Sequence, residues 1–121
     1  MTEARQILGR TGEDLAAAHL ERLGYEVLHR NERTRFGELD LIASDGQTLV
    51  FCEVKTRRAG SGSPWDSLTE AKQVQVRRMA GHWLSTAPGR VYHPQLRFDA
   101  IGVVLDRRGA LVSLDHVEGA F

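Results

Sequence analysis

The fold is decided by residues 38–55, which read ELDLIASDGQTLVFCEVK. Two runs with strong strand patterns, residues 38–43 and 48–55, flank Asp45-Gly46, a dipeptide typical of a tight hairpin turn. The stretch therefore predicts an antiparallel hairpin in which Ser44 pairs with Gln47.

The predicted hairpin separates its side chains into a polar and an apolar face. Its register places Glu38 directly opposite Glu53, and Asp40 one diagonal step from Glu53. One face then carries Glu38, Asp40, Ile42, Leu49, Phe51, Glu53 and Lys55. The other face is uniformly apolar, with Leu39, Leu41, Ala43, Val50, Cys52 and Val54. We therefore expect three carboxylates and a lysine within about 5–8 Å of one another.

Like charges gathered on strands that are otherwise apolar destabilise a sheet unless something neutralises them. A divalent cation would do so, and carboxylate oxygens suit Mg²⁺ or Mn²⁺. Lys55 lies two residues beyond Glu53 on the same face and could hold or polarise a water, which is the equipment for metal-assisted phosphodiester hydrolysis. The alternative is a solvated face with cross-strand ion pairs, but residues 49–52 are apolar up to Glu53, where a solvated strand should alternate.

The rest of the chain predicts a single domain over residues 1–121. Apolar periodicity indicates a helix from about residue 4 to 23, a strand at 25–29 and a polar stretch at 30–35. A loop is expected at 57–64, followed by a helix that a capping box at Ser67–Glu70 opens and that runs to about Leu84. Strands at 96–105 and 110–117 complete the order α-β-β-β-α-β-β, an α/β fold with a mixed sheet flanked by helices. The second helix is expected to cross over between parallel strands.

Composition excludes several classes of protein. No apolar run is long enough to span a bilayer, and the single cysteine, Cys52, favours a reducing compartment, so we expect a cytoplasmic protein without membrane contact. Sixteen basic residues balance sixteen acidic ones, which argues against indiscriminate coating of nucleic acid and leaves local phosphate binding open. The five histidines show no paired metal spacing, so a zinc enzyme is disfavoured.

Asp40 followed by Glu53-Val54-Lys55 matches the PD-(D/E)XK arrangement of restriction-endonuclease-like nucleases. Over nearly the whole chain the sequence resembles the YraN family of predicted endonucleases, considered distant relatives of archaeal Holliday-junction resolvases. In this sequence Gly37-Glu38-Leu39-Asp40 stands where the superfamily name has Pro-Asp, so the proline is absent while the carboxylate remains. The matching segments are Gly12-Glu13, Ala16, Leu20, Gly24-Tyr25, Arg30-Asn31, residues 37–42, residues 53–55, Lys72, Arg97-Phe98-Asp99 and Ala120-Phe121.

The resemblance implies a three-layer, restriction-endonuclease-like sandwich and an Mg²⁺- or Mn²⁺-dependent endonuclease. Its substrate would be DNA rather than RNA, including branched or structured DNA. Asp40, Glu53 and Lys55 would be the catalytic residues, with Asp40 and Glu53 as metal ligands and Glu13 near the metal as a ligand or through a bound water. Glu38, which the predicted hairpin places beside them, would assist as a fourth acidic ligand. For Glu13 the alternative is an acid that merely complements the start of its helix. Resolvase relatives act as dimers, which makes a homodimer an option here.

Five basic residues are candidates for DNA binding: Arg33, Arg35, Arg57, Arg58 and Lys72. The arginines flank the hairpin on predicted loops and could contact phosphates, or they could be ordinary surface arginines. Lys72 lies on the buried stripe of the second helix, where it could reach the active site or extend its amine to solvent. Trp65 is expected to pack against that helix or to stack on a base.

Two other functions stay open from the sequence. The fold could serve as a nucleic-acid-binding module without efficient cleavage, but the intact Asp40, Glu53 and Lys55 favour an enzyme. The zero net charge is the best argument for a third function, a protein-interaction domain with an incidental acidic patch.

Overall fold

The predicted order of helices and strands is confirmed by the computed structural model, which describes residues 2–87, 89 and 91–121. The helices are α1 (Glu3–Arg22) and α2 (Glu70–Thr86), with a short 3-10 helix at Pro64–Ser67 before α2. The strands are β1 (Glu26–Thr34), β2 (Gly37–Ser44), β3 (Thr48–Arg58), β4 (Gln95–Leu105) and β5 (Leu111–Val117).

The five strands form one mixed sheet in the order β1-β2-β3-β4-β5. Only β3 and β4 pair in parallel, and α2 lies in the crossover between them, as predicted. Helix α1 packs on one face of the sheet through Ala16, Ala17 and Leu20, and α2 packs on the other through Val76, Met79 and Trp83. The fold is thus an α/β sandwich of three layers. In the part of the chain that the structure describes, no helix has the length and apolar character needed to cross a membrane.

The register predicted for the β2–β3 hairpin is wrong by two residues. Ser44 pairs with Leu49 instead of Gln47, because the Asp45 carboxylate accepts hydrogen bonds from the backbone N–H groups of Gln47 and Thr48 and so holds a longer turn. The ladder between β2 and β3 ends at Leu41 and Cys52, and beyond this pair β2 follows β1 alone.

Two predictions that depended on the hairpin register, the positions of Glu38 and Leu39, are therefore wrong. Glu38 pairs with Arg33 of β1 and does not lie opposite Glu53. Leu39 packs with the cluster under α2 rather than on the α1 face, because β2 is no longer constrained by β3 at this point. The other five residues of the predicted apolar face do lie together, and they pack in the α1 cluster: Leu41, Ala43, Val50, Cys52 and Val54.

Element boundaries also differ from the predictions. Strand β3 continues to Arg58, so Arg57 and Arg58 belong to a strand that pairs with β4 rather than to a loop. Strand β1 includes most of the expected polar stretch and ends at Thr34. Helix α2 begins at Glu70 behind the N-cap Thr69, and the capping box lies earlier, at Ser63 and Asp66 of the 3-10 helix.

Arg97 and Asp99 form an ion pair, with Arg97 Nε 2.8 Å from Asp99 Oδ1. Asp99 is fully buried and also accepts hydrogen bonds from His116 Nε2 and from the backbone N–H of Gly119. Burial alone would raise the pKa of Asp99, but these hydrogen bonds outweigh it and lower the pKa. The network ties β5 and the C-terminal segment to the sheet.

Cys52 is a buried core residue, and burial raises the pKa of its thiol.

We expect Gly12→Ala to destabilise the protein strongly, while Gly9→Ala on the same helix does not. A Cβ at Gly12 would overlap Thr56 Oγ1 of β3 and lie 2.9 Å from Thr56 Cβ, whereas a Cβ at Gly9 meets nothing within 4 Å. Overpacking of this kind costs about 1–3 kcal/mol, and Gly→Ala in an open helix position gains about 0.5–1 kcal/mol. Urea unfolding of the two variants measures both effects, and equal stabilities would contradict the close approach of α1 to β3.

Candidate active site

Asp40 and Glu53 meet where β2 separates from β3. Asp40 is half-buried, and its Oδ2 accepts a hydrogen bond of 2.9 Å from the backbone N–H of Val54. Glu53 is only 2 % exposed and follows five buried residues of β3. The departure of β2 from the ladder leaves the Val54 amide free to bond a side chain, so the irregularity of the sheet positions the carboxylate.

The two carboxylates affect each other electrostatically. Burial, and then the charge of Glu53, raise the pKa of Asp40 well above its usual range, and the hydrogen bond from Val54 only partly opposes them. Glu53 Oε1 lies 3.2 Å from Lys55 Nζ and 3.5 Å from Lys72 Nζ. Glu53 Oε2 is buried and has no hydrogen-bond donor among the described residues while Asp40 is ionised, whereas a protonated Asp40 hydrogen-bonds to Glu53. With both acids ionised, the site therefore holds a buried carboxylate oxygen without a donor.

Lys72 lies beside Glu53, and its role in DNA binding stays a prediction. It reaches Glu53 from the first turn of α2, and its side chain is 26 % exposed. The sequence left open whether this lysine pointed to the active site or to solvent, and the structure shows the former. Glu53 therefore has two lysine partners, one on its own strand and one on α2.

The two assisting acids lie further from the centre. Glu38 Oε2 forms an ion pair of 3.0 Å with Arg33 on β1. Glu13 is half-buried on α1, where its charge contributes to the raised pKa of Asp40. Desolvation raises the pKa of Glu13 itself, against the lowering effect of a hydrogen bond to Asn31. Sequence reasoning gave Asn31 no role, although it is the non-glycine residue with a positive φ, 51°, among the described residues, and asparagine is enriched in that conformation.

The expected set of four acidic ligands is not assembled. Among residues 2–87, 89 and 91–121, no group of three or more histidine, cysteine, aspartate or glutamate side chains is arranged to hold a metal ion. The pair Asp40 and Glu53 nevertheless fits a divalent cation, because both supply hard oxygen donors and Glu53 Oε2 is buried without a partner. The roles of Glu38 and Glu13 as ligands stay predictions.

The four candidate arginines have different surroundings. Arg33 pairs with Glu38, and Arg58 donates to the backbone carbonyls of Asp106 and Arg107 in the β4–β5 turn. Arg57 lines a cleft of about 430 Å³ together with Arg5 of α1. Arg35 lies with its Cζ 5.8 Å from the centre of the Phe36 ring. Arg35 and Arg57 thus have guanidinium groups without an acidic partner in the described part of the chain.

Trp65 packs against the sheet, and its stacking on a base stays a prediction. Its ring lies over β4, where a Cβ added at Gly102 would be 2.9 Å from Trp65 Cη2. The absence of a side chain at Gly102 makes room for the indole on the sheet itself. The ring is half-buried there.

The family model and the similar proteins all indicate the same protein family. The model of "Uncharacterised protein family UPF0102" matches residues 12–103, which include every acidic and lysine residue of the site. The chain is 45 % identical to a UPF0102 protein of Acidothermus cellulolyticus, covering 98 % of this chain and 96 % of the relative. It is 48 % identical to a UPF0102 protein of Parafrankia sp., covering 96 % and 97 %, and 48 % identical to one of Geobacter sulfurreducens, covering 96 % and 89 %. The family model and the relatives agree, and the chain belongs to the UPF0102 family.

Proposed function

We propose that this protein is a divalent-cation-dependent nuclease that hydrolyses phosphodiester bonds of DNA. The observation that carries the proposal is the buried, unpartnered Oε2 of Glu53 beside the Asp40 carboxylate. A solvated acidic face would hydrate both oxygens of each carboxylate, whereas Glu53 is 2 % exposed. A buried polar atom without a partner is costly, and a bound ligand would remove that cost.

Asp40 and Glu53 would hold an Mg²⁺ or Mn²⁺ ion. When bound, such an ion supplies a Lewis acid for the phosphoryl group and lowers the pKa of water. The Val54 amide fixes Asp40, and the two lysines fix Glu53, so both carboxylates are oriented before substrate binds. Lys55 Nζ has donors beyond the one directed at Glu53 and can stabilise negative charge that develops on the substrate.

The balanced charge of the chain is compatible with local phosphate contacts. Arg5 and Arg57 line one cleft, and neither has a carboxylate within ion-pair distance among the described residues. Arginine donors that lack an acidic partner are free to bind phosphate oxygens. DNA as the preferred substrate, its branched forms and a homodimeric state stay predictions.

The test incubates the purified protein with duplex, forked, flapped and four-way DNA, and with RNA of the same sequence, in Mn²⁺, Mg²⁺ or EDTA. We expect cleavage of DNA in the presence of either metal and none in EDTA. A Glu53→Gln protein purified in parallel controls for contaminating nuclease. Binding without cleavage would favour the nucleic-acid-binding module, and absence of both would contradict the proposal and favour a protein-interaction domain.

A further inference from the structure

We propose that Phe36, at the tip of the β1–β2 hairpin, stacks on an unpaired base of the nucleic-acid substrate. The inference rests on the proposed function for the identity of the partner. It adds a substrate class: a strand that is single-stranded next to the cleavage site.

The tip of this hairpin is held rigidly. Thr34 Oγ1 donates to the carbonyl of Gly37 at 2.7 Å and accepts from the backbone N–H of Phe36 at 3.1 Å. Gln75 Nε2 of α2 donates to the carbonyl of Phe36 at 3.0 Å. Gly37 has a φ of 132°, and a Cβ there would lie 3.1 Å from Met79 Sδ, so the hairpin approaches α2 as closely as glycine allows. Phe36 is therefore positioned before any ligand binds.

The Phe36 ring is 37 % exposed and surrounded by cationic and aromatic groups. The guanidinium carbons of Arg35 and Arg78 lie 5.8 Å and 5.4 Å from the ring centre. His82 meets the ring edge-on with the centroids 5.7 Å apart. In the described part of the chain neither arginine has a carboxylate within ion-pair distance. A partly exposed aromatic ring whose neighbouring guanidinium groups lack carboxylate partners is complementary to a nucleobase, which would take the place of a guanidinium group over the ring, and to its phosphates.

A polar stripe of α2 connects this ring to the carboxylate pair. Lys72, Gln75 and Arg78 recur every three residues, so they lie along one side of the helix within about 9 Å of axial rise. Lys72 contacts Glu53, Gln75 contacts the Phe36 carbonyl and Arg78 lies over the Phe36 ring. Phe36 immediately precedes β2 and lies four positions before Asp40, which is about 13 Å of extended chain and corresponds to about four stacked nucleotides.

An unpaired base fits this surface better than a duplex does. Bases inside a duplex are stacked on their neighbours and present only their edges, whereas single-stranded bases offer their faces to aromatic side chains. A protein partner or a second copy of this chain would also cover an exposed ring, so the experiment includes an outcome for them.

The test measures the binding of fluorescent DNA in EDTA, where cleavage does not interfere, by using a fork with a single-stranded arm and a duplex of equal length. We expect Phe36→Ala to weaken binding to the fork about 5- to 100-fold while duplex binding changes less than about twofold. Phe36→Trp should restore binding, and the fork should quench the added indole fluorescence. Tyr92→Ala, which removes another exposed aromatic ring, should change neither affinity.

Three results would overturn the inference. In the first, Phe36→Leu binds the fork as tightly as the native protein, which would replace stacking by simple apolar contact. In the second, Phe36→Ala weakens both DNAs equally or neither, with its melting temperature measured to exclude unfolding. In the third, sedimentation shows a dimer that Phe36→Ala dissociates. Cleavage in Mn²⁺ is measured separately. A native protein that prefers the fork but cleaves no DNA would contradict the nuclease proposal without contradicting the stacking site.

Discussion

Asp40→Asn is expected to raise the melting temperature of the metal-free protein, to remove its response to Mn²⁺ and to lower cleavage by at least about 10³-fold. The rate effect follows because a metal ion supplies several kcal/mol of transition-state stabilisation, and about 4 kcal/mol corresponds to 10³ in rate. Asp40 binds its proton more tightly in the folded state than in the unfolded chain, because burial and Glu53 raise its pKa. The folded protein therefore loses stability as the pH rises from the ordinary pKa of aspartate through this raised value. Asparagine cannot ionise, so Asp40→Asn does not carry that cost at any pH.

The response to Mn²⁺ is measured by thermal unfolding. A cation that binds only the folded protein stabilises it by about 2.7 kcal/mol at a hundredfold excess over its Kd. We expect this shift in the native protein and its loss in Asp40→Asn. Asp115→Asn, which changes an exposed carboxylate on β5, is the matched control and should leave both the metal response and the melting temperature unchanged. A native melting temperature that neither Mn²⁺ nor Asp40→Asn alters would contradict both metal binding by the two acids and an electrostatic cost of their proximity.

Glu53→Gln should differ from Asp40→Asn in the absence of metal. Both substitutions remove the repulsion between the carboxylates, but Glu53 is also the partner of Lys55 and Lys72. These two lysine side chains are only 20 % and 26 % exposed, so removal of their shared counter-charge leaves two partly desolvated cations side by side. We therefore expect Glu53→Gln to lower the melting temperature while it abolishes cleavage.

The sequence predicted the topology well because its strand patterns are strong and local. Residues 48–54 are buried without interruption, and the hairpin and the parallel crossover followed from short-range signals. The register failed because it depended on one turn, and the Asp45 carboxylate lengthens that turn through two backbone hydrogen bonds. In the observed register Glu38 is further from Glu53 than predicted, and Asp40 is nearer to it. Asp40 and Glu53 are the residues next to the last pair of the ladder, Leu41 with Cys52.

The parts of the site that depend on tertiary contacts could not be predicted in the same way. Lys72 is nineteen positions from Glu53 in the chain, and only the docking of α2 on the sheet brings its Nζ to 3.5 Å from the carboxylate. Asn31 carried one local signal, since asparagine tolerates a left-handed backbone, but nothing in its neighbours indicates a bond to Glu13 on α1. Arg57 was placed on a loop because the Gly- and Ser-rich residues after it read as mobile, whereas pairing with β4 extends the strand.

Lys55→Ala is expected to lower cleavage about 10²- to 10³-fold while it retains or increases the stabilisation by Mn²⁺. The rate effect is that of losing one donor that stabilises charge in the transition state. The metal response is retained because Asp40 and Glu53 are intact, and it can increase because a cation 3.2 Å from Glu53 no longer competes for the carboxylate. This combination distinguishes Lys55 from the two acids, whose loss removes cleavage and metal response together.

Lys72→Ala provides the matched comparison, because it removes the same charge from the same Glu53 oxygen. Its metal response should resemble that of Lys55→Ala, while its cleavage should fall less, since Lys55 Nζ remains at the shorter distance from Glu53. Single-turnover cleavage at saturating Mn²⁺ separates the rate from metal affinity. If the two variants lose cleavage equally, the lysines act together by neutralising Glu53, and the specific role of Lys55 toward the substrate is wrong. A Lys55→Arg variant that keeps the metal response of the native protein yet cleaves slowly would show that the position of the amine matters, and not the charge alone.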